Sequence, residues 1–144
     1  MTGFVRDFRQ ALRLPLEKWP YLARAVVELA IARTRLHADH SHHLRDAKAT
    51  RPTPHDALTP AQSDLVDQVA YAIPRIAQRL PWRSDCLIQA LAGERWLRRS
   101  GVLAQVVIGV NRDGPAPLEA HAWLKAGDRV VTGGGIAAFA PLTE

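Results

Sequence analysis

A chain of 144 residues is long enough for one domain with a real core and too short for two independent enzymatic domains. Its hydrophobic fraction of 47% and charged fraction of 23% are ordinary for a soluble globular protein, which excludes a wholly disordered or collagen-like chain. Nineteen basic residues against fourteen acidic ones give a net charge of +5, but all of the basic residues except Lys18, Lys48 and Lys125 are Arg. No basic stripe interleaved with aromatics runs through the sequence, so the charge points to an acidic peptide or protein partner, or to no electrostatic role, and not to nucleic acid.

The longest apolar stretch, Trp19 to Ala32, is interrupted by Arg24 and Glu28 and falls short of the roughly 20 residues of a membrane span. The N-terminus has no basic segment leading into an apolar run and a small-residue cleavage site, so export is not expected. The single cysteine, Cys86, has no internal disulfide partner, in keeping with a reducing cytoplasm.

In chain order, Phe4, Phe8, Ala11 and Leu12 recur at helical spacing up to Pro15, and a second helical pattern runs from about Pro20 to Leu36. The segment from His37 to Thr59 holds five of the six histidines together with Pro52 and Pro54, and reads as a loop or linker. Thr59 followed by Pro60 is an N-cap with proline at the first helical position, opening a helix expected to reach Leu80 with a kink or local disruption at Pro74. Ser84 or Asp85 caps the next helix, which carries Leu87, Ile88, Leu91, Trp96 and Leu97 and stops at Gly101. Within it Glu94 and Arg98 have i,i+4 spacing on an expected solvated face.

Beyond Gly101 the period changes to two. Ala104, Val106, Ile108 and Val110 share one face of an expected strand, and the turn from Asn111 to Pro115 leads into a second strand, Leu118 to Lys125. Glu119, His121, Trp123 and Lys125 fall on one side of it, and Leu118, Ala120, Ala122 and Leu124 on the other. Ala126-Gly127-Asp128 turns into a third strand, Arg129 to Thr132, ended by Gly133-Gly134-Gly135 and a short apolar tail. The fold class is therefore α+β, with helices first and a small antiparallel sheet packed on the cysteine helix. Residues 1–58 form N-terminal helices and a His/Pro-rich linker, and 59–144 form the core.

Cys86 lies in the first turn of its helix, where unpaired amides and the helix dipole favour an anion and suit a nucleophile; a lone cysteine also commonly serves as a small buried hydrophobe. Cys86, Ala90, Gly93 and Leu97 share a helical stripe whose small residues allow close approach of a sheet. His121 is the only histidine within a strand pattern, a position that fits a surface or satisfied core residue as well as a general base. A thiol at a helix start and an imidazole on a strand packed against that helix together supply the nucleophile and base of thiol acyl transfer.

The run from Leu80 through Trp82 and Asp85 to Cys86, the strand after Gly101, and Glu119-Ala-His121-Ala-Trp123-Leu closely resemble the leader peptidases of lasso-peptide biosynthesis. The resemblance spans roughly residues 60–142. It implies a transglutaminase-like, papain-related fold and a cysteine peptidase that removes the leader from a ribosomally made precursor. Cys86 would be the nucleophile and His121 the general base and acid, with no cofactor and no metal. The implied partners are the precursor peptide, a separate leader-recognition protein as in the standalone members, and a macrolactam synthetase that closes the ring on the freed core. Family members often carry an Asp twelve residues after the histidine, where this chain has Gly133. Asp128, Glu119, a backbone carbonyl or a water are the candidates left to orient the ring. A thiol acyltransferase of the transglutaminase or arylamine acetyltransferase type, or a non-catalytic peptide-binding module, are the alternatives.

His37, His40, His42 and His43, with Asp39 among them, have neither helical nor finger spacing, and no specific metal site is expected. The tryptophans read mostly as packing residues, with Trp82 and Trp123 placed to line a groove beside Cys86.

Overall fold

The computed structural model describes residues 15–38, 57–111 and 119–142. The expected helix before Pro15, the turn after Asn111, and His40, His42, His43 and Asp39 lie outside these residues.

The first described helix, α1, runs Trp19–Ala38 after a single 3-10 turn. Leu22, Ala25, Leu29 and Ala32 are buried along one stripe, as a 3.6-residue period requires. The helix extends two residues past Leu36, so His37, expected in the linker, is helical and donates from Nδ1 to the Arg33 carbonyl at 2.9 Å.

Helix α2 spans Pro60–Ala77 and begins at the predicted cap. The Gln62 amide donates to Thr59 Oγ1 at 3.3 Å, and the Thr59 amide donates back to Gln62 Oε1 at 3.0 Å, a reciprocal capping box. The helix continues unbroken through Pro74 and ends three residues later, at Ala77 and not at Leu80. Proline so close to the end removes only one amide from the final turns, and the Arg79 amide then donates to Ile76 O at 2.9 Å in a tighter turn.

Helix α3 is Cys86–Arg99. Asp85 occupies the N-cap position, but no side chain caps the helix: the Asp85 carboxylate pairs instead with Arg83 at 3.3 Å. The C-terminus closes as the sequence predicts. Gly101 adopts φ +78°, its amide donates to Arg98 O at 3.1 Å and the Val102 amide to Leu97 O at 2.9 Å, the paired bonds of a Schellman motif.

Four antiparallel strands follow: β1 Gln105–Asn111, β2 Glu119–Ala126, β3 Arg129–Thr132 and the two-residue β4 Ala140–Pro141, in the order β3-β2-β1-β4. The architecture is thus α+β as expected, with a short edge strand and a 3-10 turn at Ile136–Ala138 where the sequence suggested only an apolar tail.

The three helices and one face of the sheet enclose a single core that includes Leu29, Val66, Val69, Ile73, Trp96, Leu97 and Leu124, all completely buried. Each large aliphatic side chain removed from water contributes about 1.5–3 kcal/mol. Gly93 makes the contact of α3 with the sheet possible: a Cβ there would stand 2.7 Å from Leu124 Cδ2 and 3.3 Å from Val69 Cγ1. The small-residue stripe read from the sequence does what its composition implies.

A charge lies inside this core. Glu28 on α1 is 4% exposed and accepts a hydrogen bond from Arg95 of α3, with Arg24 one turn earlier at 3.7 Å. Arg24 also lies over the buried Trp96 ring, 4.9 Å from its centroid. Glu94, expected on a solvated face, is mostly covered, and its burial pushes the carboxyl above the ordinary glutamate range against the opposing pull of Arg98 at 3.3 Å.

Candidate active site

Cys86 is the first residue of α3 and is half-buried. The amides of a helix's first turn have no acceptor within the helix, so a group bound beside Cys86 meets unpaired N–H donors of the kind that stabilise an oxyanion. The loop leading into the helix is held from both sides. Arg33 of α1 donates to the Arg83 carbonyl at 3.1 Å, and Gln89 of α3 donates to the Ser84 carbonyl at 2.9 Å.

His121 lies near the start of β2, opposite Gly109 of β1. Residues 100–104 lead from the end of α3 into β1, whose first residue, Gln105, pairs with Lys125 near the end of β2.

Alternation along β2 assigns the faces. Leu124 points toward Gly93 of α3, while His121 and Trp123 share the other face, their ring centroids 6.2 Å apart. Among the described residues no hydrogen bond joins the Cys86 thiol to the His121 ring. The thiol and imidazole are not assembled into a bonded pair.

The imidazole is held by other means. His121 Nε2 lies 2.9 Å from the carbonyl oxygen of Gly133. A carbonyl can only accept, so Nε2 carries the proton and Nδ1 is left as the basic nitrogen of the neutral ring. Phe139 packs at 4.9 Å between centroids, tilted by 35°, and Trp123 lies beneath. Trp123 fits because Gly109 and Gly133 leave room for it: a Cβ on Gly109 would come 2.6 Å from the Trp123 ring, and one on Gly133 would come 2.8 Å from its Cβ. Gly133 takes φ +79°, which an L side chain rarely adopts.

Of the candidate orienting groups, a backbone carbonyl makes the bond. Asp128 sits in the β2–β3 turn, five residues of strand and a turn away from His121, or about 17 Å at roughly 3.3 Å per residue. Glu119 shares the His121 face but is exposed at the start of the strand. Phe139 was not foreseen. It belongs to a tail with no periodicity, and only the return of β4 to β1 carries it to the ring.

Among the described residues no group of His, Cys, Asp or Glu is arranged to hold a metal ion, and no helix is long and apolar enough to cross a membrane. No curated protein and no solved structure matches the chain significantly. A family profile described as the transglutaminase-like superfamily matches residues 24–144, which takes in α1 from Arg24 onward together with α2, α3 and the whole sheet. With a cysteine opening the helix and a histidine on the strand beside it, the chain belongs to the transglutaminase-like superfamily.

Proposed function

We propose that this protein is a cysteine peptidase that cleaves the leader from a ribosomally synthesised lasso-peptide precursor, with Cys86 as nucleophile and His121 as general base and acid. The observation that carries this reading is the bond between His121 Nε2 and the Gly133 carbonyl. It fixes the tautomer of His121 with Nδ1 as the basic nitrogen, the arrangement a general base requires. Family membership supports the same chemistry, and so does the position of Cys86 at a helix start.

In this mechanism Nδ1 takes the thiol proton as sulfur attacks the scissile carbonyl carbon, and first-turn amides of α3 receive the developing oxyanion. The proton passes from Nδ1 to the leaving amine, which departs as the freed core peptide. Water, deprotonated by Nδ1, then hydrolyses the thioester and releases the leader. His121 lies on the sheet face away from Leu124, so this mechanism requires a rearrangement on substrate binding that brings thiol and ring to bonding distance. The precursor, a leader-recognition protein and a macrolactam synthetase are the partners this reading entails.

The test is cleavage of precursor by Cys86→Ala and His121→Ala, followed by mass spectrometry, with circular dichroism to establish folding. Both variants lose cleavage, since nucleophile and base act as a unit. Substantial turnover by folded Cys86→Ala defeats the thiol mechanism. Products identify the acceptor: two free peptides mean hydrolysis, whereas a peptide joined to an added amine means acyl transfer.

A further inference from the structure

Between the first half of α1 and the end of α2 lies a cavity of about 160 Å³ with an almost wholly apolar lining. Trp19, Leu22, Val26 and Ile76 wall it, and Arg75 and Arg79 stand at its rim. Its size is below the ~300 Å³ at which drug-sized ligand sites begin, so it suits one bulky side chain and not a cofactor.

The rim is cationic and held in place. Arg75 donates to the Tyr71 carbonyl at 3.0 Å and lies over the Tyr71 ring at 3.8 Å, with Lys18 over the same ring at 4.2 Å. Arg79 donates to the Arg75 carbonyl at 2.8 Å. Among the described residues none of these three cations has a carboxylate partner, whereas Arg95, Arg98 and Arg129 elsewhere each do. Trp19 remains 41% exposed beside them.

We infer that this groove binds an extended acidic segment of the substrate peptide, one large apolar side chain entering the cavity and flanking carboxylates meeting Arg75, Arg79 and Lys18. The inference rests on the peptidase reading for the identity of the occupant, and charge complementarity with an apolar floor selects its chemistry. The connection to the site is short. Arg79 precedes Cys86 by seven residues, so the rim lies no farther than about 25 Å from the thiol along the chain. A peptide anchored there reaches the thiol with a short extended stretch.

The experiment uses Cys86→Ala protein, so that binding is read without cleavage, and a short fluorescein-labelled synthetic peptide with one leucine flanked on both sides by glutamates. Fluorescence anisotropy should show saturable binding that weakens in high salt. Binding should fall at least tenfold in Arg75→Glu/Arg79→Glu, and also for a peptide with lysines in place of the glutamates or alanine in place of the leucine. Arg79→Gln, a milder change at an exposed site, should give a smaller loss if the double variant folds poorly by circular dichroism. Absence of binding, or binding indifferent to Arg75 and Arg79, overturns the proposal. So does binding that appears only after residues 1–14 are deleted, because the chain's own N-terminal segment would then be the occupant. A concentration-dependent dimer abolished by Arg75→Glu/Arg79→Glu overturns it in favour of a second copy. Failure here with cleavage of precursor intact leaves the peptidase reading standing. Binding here with an inert Cys86 does the reverse.

Discussion

The carbonyl oxygen of Gly133 lies 2.9 Å from Nε2 of His121, twelve residues earlier in the chain. The β2–β3 hairpin explains the interval. Leu124 pairs with Thr132, so the residue after Thr132 arrives beside Ala122 and Trp123 while Asp128 stays at the turn. An acid carried by the turn therefore has no part in orienting the ring. Asp128→Asn should lower turnover by less than about tenfold, against the loss of roughly 10⁴ that follows when a catalytic imidazole is released into the wrong tautomer. Steady-state cleavage rates for the folded variant are the measurement, and near-complete inactivation would return the orienting role to Asp128.

Gly133 stands where the resemblance to lasso-peptide leader peptidases implies an Asp, and its geometry opposes that residue. At φ +79° a side chain is strained, and its Cβ would fall 2.7 Å from the Ala122 carbonyl oxygen and 2.8 Å from Trp123 Cβ, with backbone and a buried ring base unable to yield. Gly133→Asp should therefore impair the protein. We expect at least about 2 kcal/mol of lost stability from left-handed strain and overlap, with turnover falling as the carbonyl leaves Nε2. Urea denaturation and cleavage measured on the same preparation decide it; a Gly133→Asp protein as stable as the parent and more active contradicts this account of the ring.

The Glu28–Arg95 pair joins α1 to α3 inside the core, with side chains 5% and 13% exposed. Removing one member leaves the other charge buried without compensation, which costs about 3–5 kcal/mol. Glu28→Ala should show a loss of that order in chemical denaturation. Glu28→Gln keeps an acceptor for the Arg95 guanidinium and should lose less, and equal losses in the two variants would mean that packing, not the charge, is what Glu28 provides.

Local signals in the sequence were sufficient for much of this fold. Thr59-Pro60, Gly101, and the Arg129–Thr132 strand after Gly127-Asp128 each carry their instruction within a few residues, and each element begins or ends where expected. Features made by distant partners were not legible. Glu28 reads as an interruption of an apolar run because its partner lies 67 residues away. The two residues of β4 have no pattern of their own and become a strand only by pairing with Gly109 and Val110. The cap on α3 misled because Asp85 has the right residue type but turns to Arg83. At the candidate site, Cys86 and His121 are candidates by position, and only the resemblance assigns them roles. The group holding the imidazole is a main-chain carbonyl, which every residue possesses and no side chain announces.

Glu94 provides a test by pH. Burial raises its carboxyl above the ordinary range, and Arg98, 63% exposed at 3.3 Å, offsets this only in part. An acid whose folded value is raised binds its proton more tightly in the native state, so its contribution to stability is fully present below the unfolded value and is lost as pH rises through the folded one. At about pH 7 the native protein therefore bears the cost of a covered carboxylate, while at about pH 4 it does not. Glu94→Gln abolishes the titration and gives up a helical ion pair of only about 0.3–0.5 kcal/mol. The variant should be more stable than the parent at neutral pH, with the advantage shrinking toward acid. Since every other group titrates alike in both proteins, the difference between their melting temperatures across this range reports Glu94 itself. A variant that is less stable at neutral pH, by a margin that narrows toward acid, would mean that Arg98 outweighs burial.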